Sequence, residues 1–180
     1  MHLLALSGSL RRGSSNTVLL EAMAGVAPDG IAIELYTGLA ELPPFNPDLD
    51  TGDERLLPAR VAELRTRIGA ADGLLISTPE YAHGLPGSFK NALDWLVGSV
   101  EFPGKPVAVL MASSRATYAR AQLLEILSTM SASIVGEACA TIEVPRAVER
   151  AAELVDDSTI APTLRTSLDA FAAAIAPRAA

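Results

Sequence analysis

Short apolar runs recur along the chain: HLLALS (2–7), IAIELY (31–36), GLLIST (73–78), PVAVLMA (106–112) and EACATIEV (137–144). Most are continuous rather than alternating, the pattern of strands covered on both faces of a parallel sheet. Segments of helical character lie between them. Residues 15–26 open with the polar capping candidates Ser14 to Asn16, and residues 58–71 set Pro58 at a first helical position with Val61, Leu64 and Ile68 along one face. Residues 87–98, 116–132 and 161–176 complete the set. Strands and helices in alternation predict an α/β fold: a doubly wound, five-stranded parallel sheet of order 2-1-3-4-5 with helices on both faces. No repeat or linker divides the chain, so residues 1–180 read as a single domain. The long irregular piece is 37–57, TGLAELPPFNPDLDTGDERLL, and a loop of that length is expected to be functional or part of an interface.

Composition narrows the function classes. The net charge of −7 argues against a nucleic-acid partner, because phosphate backbones are held by dense Lys/Arg surfaces. No apolar run approaches the length of a membrane span, and HLLALS is too short for a signal peptide and runs straight into a loop. The single cysteine, Cys139, fits a small core residue on a strand and a reducing, cytoplasmic setting. His2, His83 and Cys139 are scattered, which leaves no metal site to expect. Whatever chemistry the protein performs is then expected to borrow a cofactor.

In a sheet of this order, ligands bind outside the carboxyl ends of the strands, where the order reverses. That points to the loops 7–16, 79–87 and 113–120. The first reads SGSLRRGSSN. Gly8 and Gly13 stand as in a phosphate-binding P-loop, but Ser14-Ser15 replace the Lys-Ser/Thr pair that such a loop needs, and the dinucleotide glycine pattern also fails. What is left is a helix start with hydroxyls and arginines, suited to one terminal monophosphate. Arg11 can add a charge-assisted contact. The competing reading is a plain Ser/Asn helix cap with solvated arginines.

The second loop reads PEYAHGLPG (79–87), between the run LLIST and the helical SFKNALDWL. Together these loops resemble those of the flavodoxin-like NAD(P)H-dependent FMN reductases, the family that includes bacterial quinone, azo-dye and chromate reductases. GSLRRGSSN resembles its G-S-L-R-x-x-S-x-N phosphate loop. PEYAHGLPGSFKNALDW resembles its P-E-Y-N/A-x-x-x-P-G-x-L-K-N-A-x-D-W segment nearly throughout. The resemblance covers about residues 3–132.

It implies a flavodoxin-like fold, FMN as cofactor and NADPH or NADH as co-substrate. Hydride would pass through the flavin to quinone, azo, flavin or metal-oxyanion acceptors. The phosphate would be held by Ser9, Arg11, Ser15, Asn16 and Thr17. Pro79, Glu80, Tyr81 and the backbone of Ala82, His83 and Gly84 would edge the ring, with Ser113 on its far side. The flavin carries the chemistry, so no side chain is required as catalyst; His83 is a candidate proton donor or substrate-orienting group. Arg115 and Arg120 are candidates for the NADPH 2′-phosphate. The chain departs from the family pattern where many relatives carry Asn and it has Ala82, and where the family has Gly-Gly and it has Tyr118-Ala119. A homodimer or homotetramer is implied, and Leu42, Phe45, Leu49 and Trp95 are expected to face the partner. Two other readings stay open: a non-enzymatic flavodoxin-type electron carrier, and an FMN-binding sensor module.

Overall fold

Along β1 (His2–Ser7), neighbouring side chains enter different cores: Leu4 and Leu6 one, Leu3 and Ala5 the other. The same division runs through β3 (Gly73–Ser77) and β4 (Pro106–Met111). Leu74, Ile76, Val107 and Val109 go to the first side, and Leu75, Ala108 and Leu110 to the second. Period-2 alternation across a sheet covered on both faces produces the continuous apolar runs seen in the sequence. The computed structural model describes residues 1–53, 55–145 and 147–176.

The strands pair in parallel in the order β2-β1-β3-β4-β5, with β2 at Ala32–Tyr36 and β5 at Ser133–Ile134. Leu3 sits in register with Ile33 on one side and Gly73 on the other, and Leu74 pairs with Val107. The first core is closed by α2 (Ala59–Ala70), α3 (Gly87–Leu96) and α4 (Thr117–Thr129). The second is closed by α1 (Ser15–Gly25) and two C-terminal helices. Pro58 stands one place before α2, as its N-cap, and not inside the first turn.

The fifth strand departs from expectation. The run 137–144 is not one strand: β5 and a second short strand, β6 (Ala140–Thr141), pair with successive parts of β4. A 3₁₀ turn at Gly136–Ala138 separates them. Val107 pairs with Ile134 and Leu110 with Ala140. Opposite the break, the Val109 amide donates to Cys139 Sγ at 3.3 Å, and that thiol donates to the Val135 carbonyl at 3.4 Å. Cys139 thus plugs a gap in the ladder, supplying the acceptor that a continuous strand would have given.

The 37–57 segment also differs. Leu42 is buried and Trp95 is fully enclosed, both within the first core. Trp95 Nε1 donates to the Pro43 carbonyl at 2.8 Å, and Phe45 meets the indole edge-on at 5.0 Å. Neither Leu42 nor Trp95 is free to face a partner: a short turn, Gly38–Glu41, folds Leu39 and Leu42 inward. Phe45 and Leu49 remain partly exposed. Beyond residue 144 come α5 (Ala151–Val155), for which the apolar pattern gives no signal, and α6 (Ile160–Ile175).

Candidate functional site

The loop after β1 is built to turn sharply and leave its amides open. The Gly8 amide donates to the Ser77 carbonyl at 2.8 Å, which ties the loop to the end of β3. A Cβ at Gly8 would lie 2.2 Å from Thr78 Oγ1, so only glycine lets these segments approach so closely. Gly13 turns the chain back with φ at 61°. Ser14 then caps α1, its buried hydroxyl accepting from the Asn16 amide at 3.3 Å. No acidic residue stands in the first turn of α1. The Ser15 and Thr17 amides lie too early in the helix to find an intrahelical carbonyl. A helix end with free N–H groups and no competing carboxylate suits a phosphate dianion.

Two predicted phosphate residues anchor this turn from beneath. Asn16 Oδ1 accepts from the Ser77 hydroxyl at 2.9 Å, in a fully buried contact. Thr17 Oγ1 and Ser7 Oγ lie 2.7 Å apart. These contacts fix the helix start to the strand ends; they occupy Asn16 Oδ1 and, through the Ser14 cap, the Asn16 amide, and leave Asn16 Nδ2 and the Thr17 amide to meet a ligand. Ser9 Oγ accepts from the Arg11 amide at 3.3 Å, and the exposed Arg11 guanidinium rests on the Gly13 carbonyl at 3.1 Å.

The loop after β3 forms a minute hairpin. Tyr81 and Gly84 exchange both backbone bonds at 3.0 Å around Ala82 and His83, which hold φ at 50° and 60°. This turn is braced from α4. Glu80 Oε2 accepts from the Ala119 amide at 3.0 Å, capping a helix that has no capping side chain of its own. Gln122 Oε1 accepts from the Leu85 amide at 2.8 Å, and the His83 ring stacks on Tyr118 at 4.2 Å. The Glu80 carboxylate therefore has a structural task.

Between the loops lies a cavity of about 190 Å³ lined by Ser15, Asn16, Thr78, Ala112, Ser113, Arg115, Ala116, Glu143 and Val144. It gathers Ser15, Asn16 and Ser113 from the expected set. Ser9, Arg11 and residues 79–84, in the flanking loops, and Thr17, in α1, lie outside its lining. Glu143 escaped the sequence reading, although its place after the last strand is a position where this topology puts ligands. Its carboxylate accepts from the Ser114 amide. Hydrogen bonds from Ser114 hold it below the ordinary carboxylate range, with smaller help from Ser113 and Arg115.

The residues fit FMN: an anion cradle at the head of α1, a cavity beside it, and a main-chain edge at 79–84. Among the described residues no cluster of three or more His, Cys, Asp or Glu could hold a metal, and no helix is long and apolar enough to cross a membrane. The family described as NADPH-dependent FMN reductase matches residues 1–144. The quinone reductase of Escherichia coli K12 is 35% identical over 138 residues, 72% of either chain. An NAD(P)H-dependent FMN reductase of Pseudomonas aeruginosa is 43% identical over 122 residues, covering 66% of this chain and 64% of that one. Among solved structures, the flavoenzyme NAD(P)H:(acceptor) oxidoreductase FerB of Paracoccus denitrificans superposes with a TM-score of 0.75 at 30% identity, over 97% of this chain and 96% of its own. A sheet of order 2-1-3-4-5, an anion cradle at its switch point and these relatives agree: the chain belongs to the NADPH-dependent FMN reductase family and is an FMN-dependent oxidoreductase that takes its electrons from NAD(P)H.

Proposed function

We propose that this enzyme passes electrons from NAD(P)H to quinones, with FMN held between the loops 7–17, 79–84 and 113–116. The observation that carries the site is the open helix start of α1, braced by Asn16 and Thr17 and free of acid, facing a cavity shared with Ser113. The Ser15 and Thr17 amides and the Ser9 and Ser15 hydroxyls would take the phosphate, with Arg11 adding charge from the loop above. The backbone of Pro79 to Gly84 and the Ser113 hydroxyl would meet the ring edges. When bound, FMN supplies the hydride chemistry, accepting from the nicotinamide and donating to the acceptor. The protein binds, orients and keeps the ring edge paired. Arg115, on the cavity wall and exposed, is placed to attract an anionic co-substrate.

Quinone is the acceptor we favour because relatives spanning most of this chain are named quinone reductases. The flavodoxin-type carrier and sensor readings lose ground for the same reason. We further propose a homodimer, resting on the exposed Phe45, Leu49, Leu56, Val97 and Val100, and a cytoplasmic enzyme, in keeping with its one free cysteine. Calorimetry should give about one FMN per chain with FAD weaker, since the cradle suits a monophosphate. Anaerobic NADPH should then bleach the bound flavin, and a quinone should restore its colour. FAD preferred over FMN, or colour that NAD(P)H leaves untouched, would overturn the reading.

A further inference from the structure

The Ala82-His83 turn is held in a conformation its residues disfavour. Both have positive φ between a mutually bonded Tyr81 and Gly84, the geometry of a two-residue type I′ hairpin. That turn prefers Asn-Gly, because Asn tolerates and Gly freely adopts the left-handed region, whereas a Cβ on alanine or histidine crowds the following carbonyl. Such a turn persists only where its surroundings over-determine it. Here the surroundings are the first turns of α4. Tyr118 stacks on His83 with the rings 20° from parallel, Ala119 binds Glu80, and Gln122 binds Leu85. Tyr118 is 56% exposed, so its ring does not serve the core.

We infer that Tyr118 is a positioning residue: by stacking on His83 it holds the left-handed 82–83 turn and so presets the main-chain edge that the flavin meets. Ala82 and Tyr118 then belong to one device: a turn without a residue that favours the left-handed region, and a clamp from outside it. Because Ala116, which caps the same helix, lines the cavity, one helix start sets both walls of the site. Only the affinity arm of the test rests on the FMN reading.

The test uses the full chain. In the apo protein, Tyr118→Ala should speed amide exchange at Tyr81 and Gly84 by about two- to twelve-fold, the worth of one aromatic pair. Tyr118→Phe keeps the ring and should leave those rates near wild type. Installing Ala82→Asn with His83→Gly in the Tyr118→Ala background should restore slow exchange, since the turn no longer needs the clamp. FMN affinity, followed by quenching of flavin fluorescence, should fall and recover in step. Unchanged exchange in Tyr118→Ala, or no recovery with the Asn-Gly turn, overturns the inference. Failure of the wild type to bind FMN overturns the proposed site while the exchange rates still decide the role of Tyr118.

Discussion

The loops at 7–16 and 79–87 both close on the carboxyl end of the sheet, and they are held in opposite ways. The first is held from below: Gly8 binds the end of β3, Asn16 binds Ser77 and Thr17 meets Ser7, all beneath the turn. The second is held from the side, by a helix about 40 residues on in the chain. A loop fixed by its own strand ends can form as soon as the sheet does. A loop fixed by a distant helix start is only as rigid as that packing, which would suit the wall we propose for the flavin site. Their glycines show the same contrast. A Cβ at Gly8 meets Thr78 at 2.2 Å, whereas at Gly84 the nearest atom is the end of the Gln122 side chain at 3.3 Å.

The largest effect expected follows from that difference. Gly8→Ala should destabilise the fold by about 3 kcal/mol, the upper end of overpacking costs, and abolish FMN binding. Gly84→Ala should lower the urea midpoint by much less, because only the Gln122 side chain has to give, at the expense of its bond to the Leu85 amide. Equal midpoints for these variants would show that the first loop is no more rigidly built than the second.

Arg11→Ala comes next. Its guanidinium touches only its own loop, so folding should be untouched. FMN affinity should fall about ten- to a hundred-fold, the cost of one charge-assisted contact. An unchanged dissociation constant would leave Arg11 a solvated residue and assign the phosphate to helix amides alone. Asn16→Ala should instead reach the fold, at about 1–3 kcal/mol, by stranding the fully buried Ser77 hydroxyl. Adding Ser77→Ala should return part of that loss in a double-mutant cycle. Strict additivity would mean that the pair does not brace the turn.

Where the sequence was readable, local chemistry and tertiary packing agree. The apolar runs of β1 to β4 mark strands because both sheet faces are covered, and GSLRRGSSN marks a helix start because its capping serine acts locally. What escaped was decided at a distance. Nothing near Glu80 says that its carboxylate caps α4, and nothing near Tyr118 says that it stacks on His83. The split of the last strand follows from a turn at Gly136 that a continuous apolar run conceals, with Cys139 filling the gap. Leu42 in a long loop and Trp95 on α3 look like interface residues, until that loop folds over α3 and the indole donates to the Pro43 carbonyl. Glu143 follows the last short strand, beyond the three loops that the strand order singles out, and no motif marks it.

Glu143 gives the smallest expected effect, and a test of whether the third wall is held like the first loop or like the second. Its carboxylate ties the 113–115 loop to the last strand through the Ser114 amide, and that bond holds it ionised below its ordinary value of 4.5. A carboxyl group depressed in the folded state contributes stability that is present above its unfolded value and lost as pH falls through the folded one. Glu143→Gln should therefore lower the urea midpoint slightly at neutral pH, and the gap to wild type should close well below pH 4.5, where the native carboxylate is protonated. The group is exposed and the hydrogen bonds, not the Arg115 charge, head its causes, so added salt should leave most of the neutral-pH difference in place. A gap that persists in acid would show that shape rather than charge holds the loop. A gap erased by salt at neutral pH would transfer the role to Arg115, and the third wall would then be held by screened attraction, more loosely than either of its neighbours.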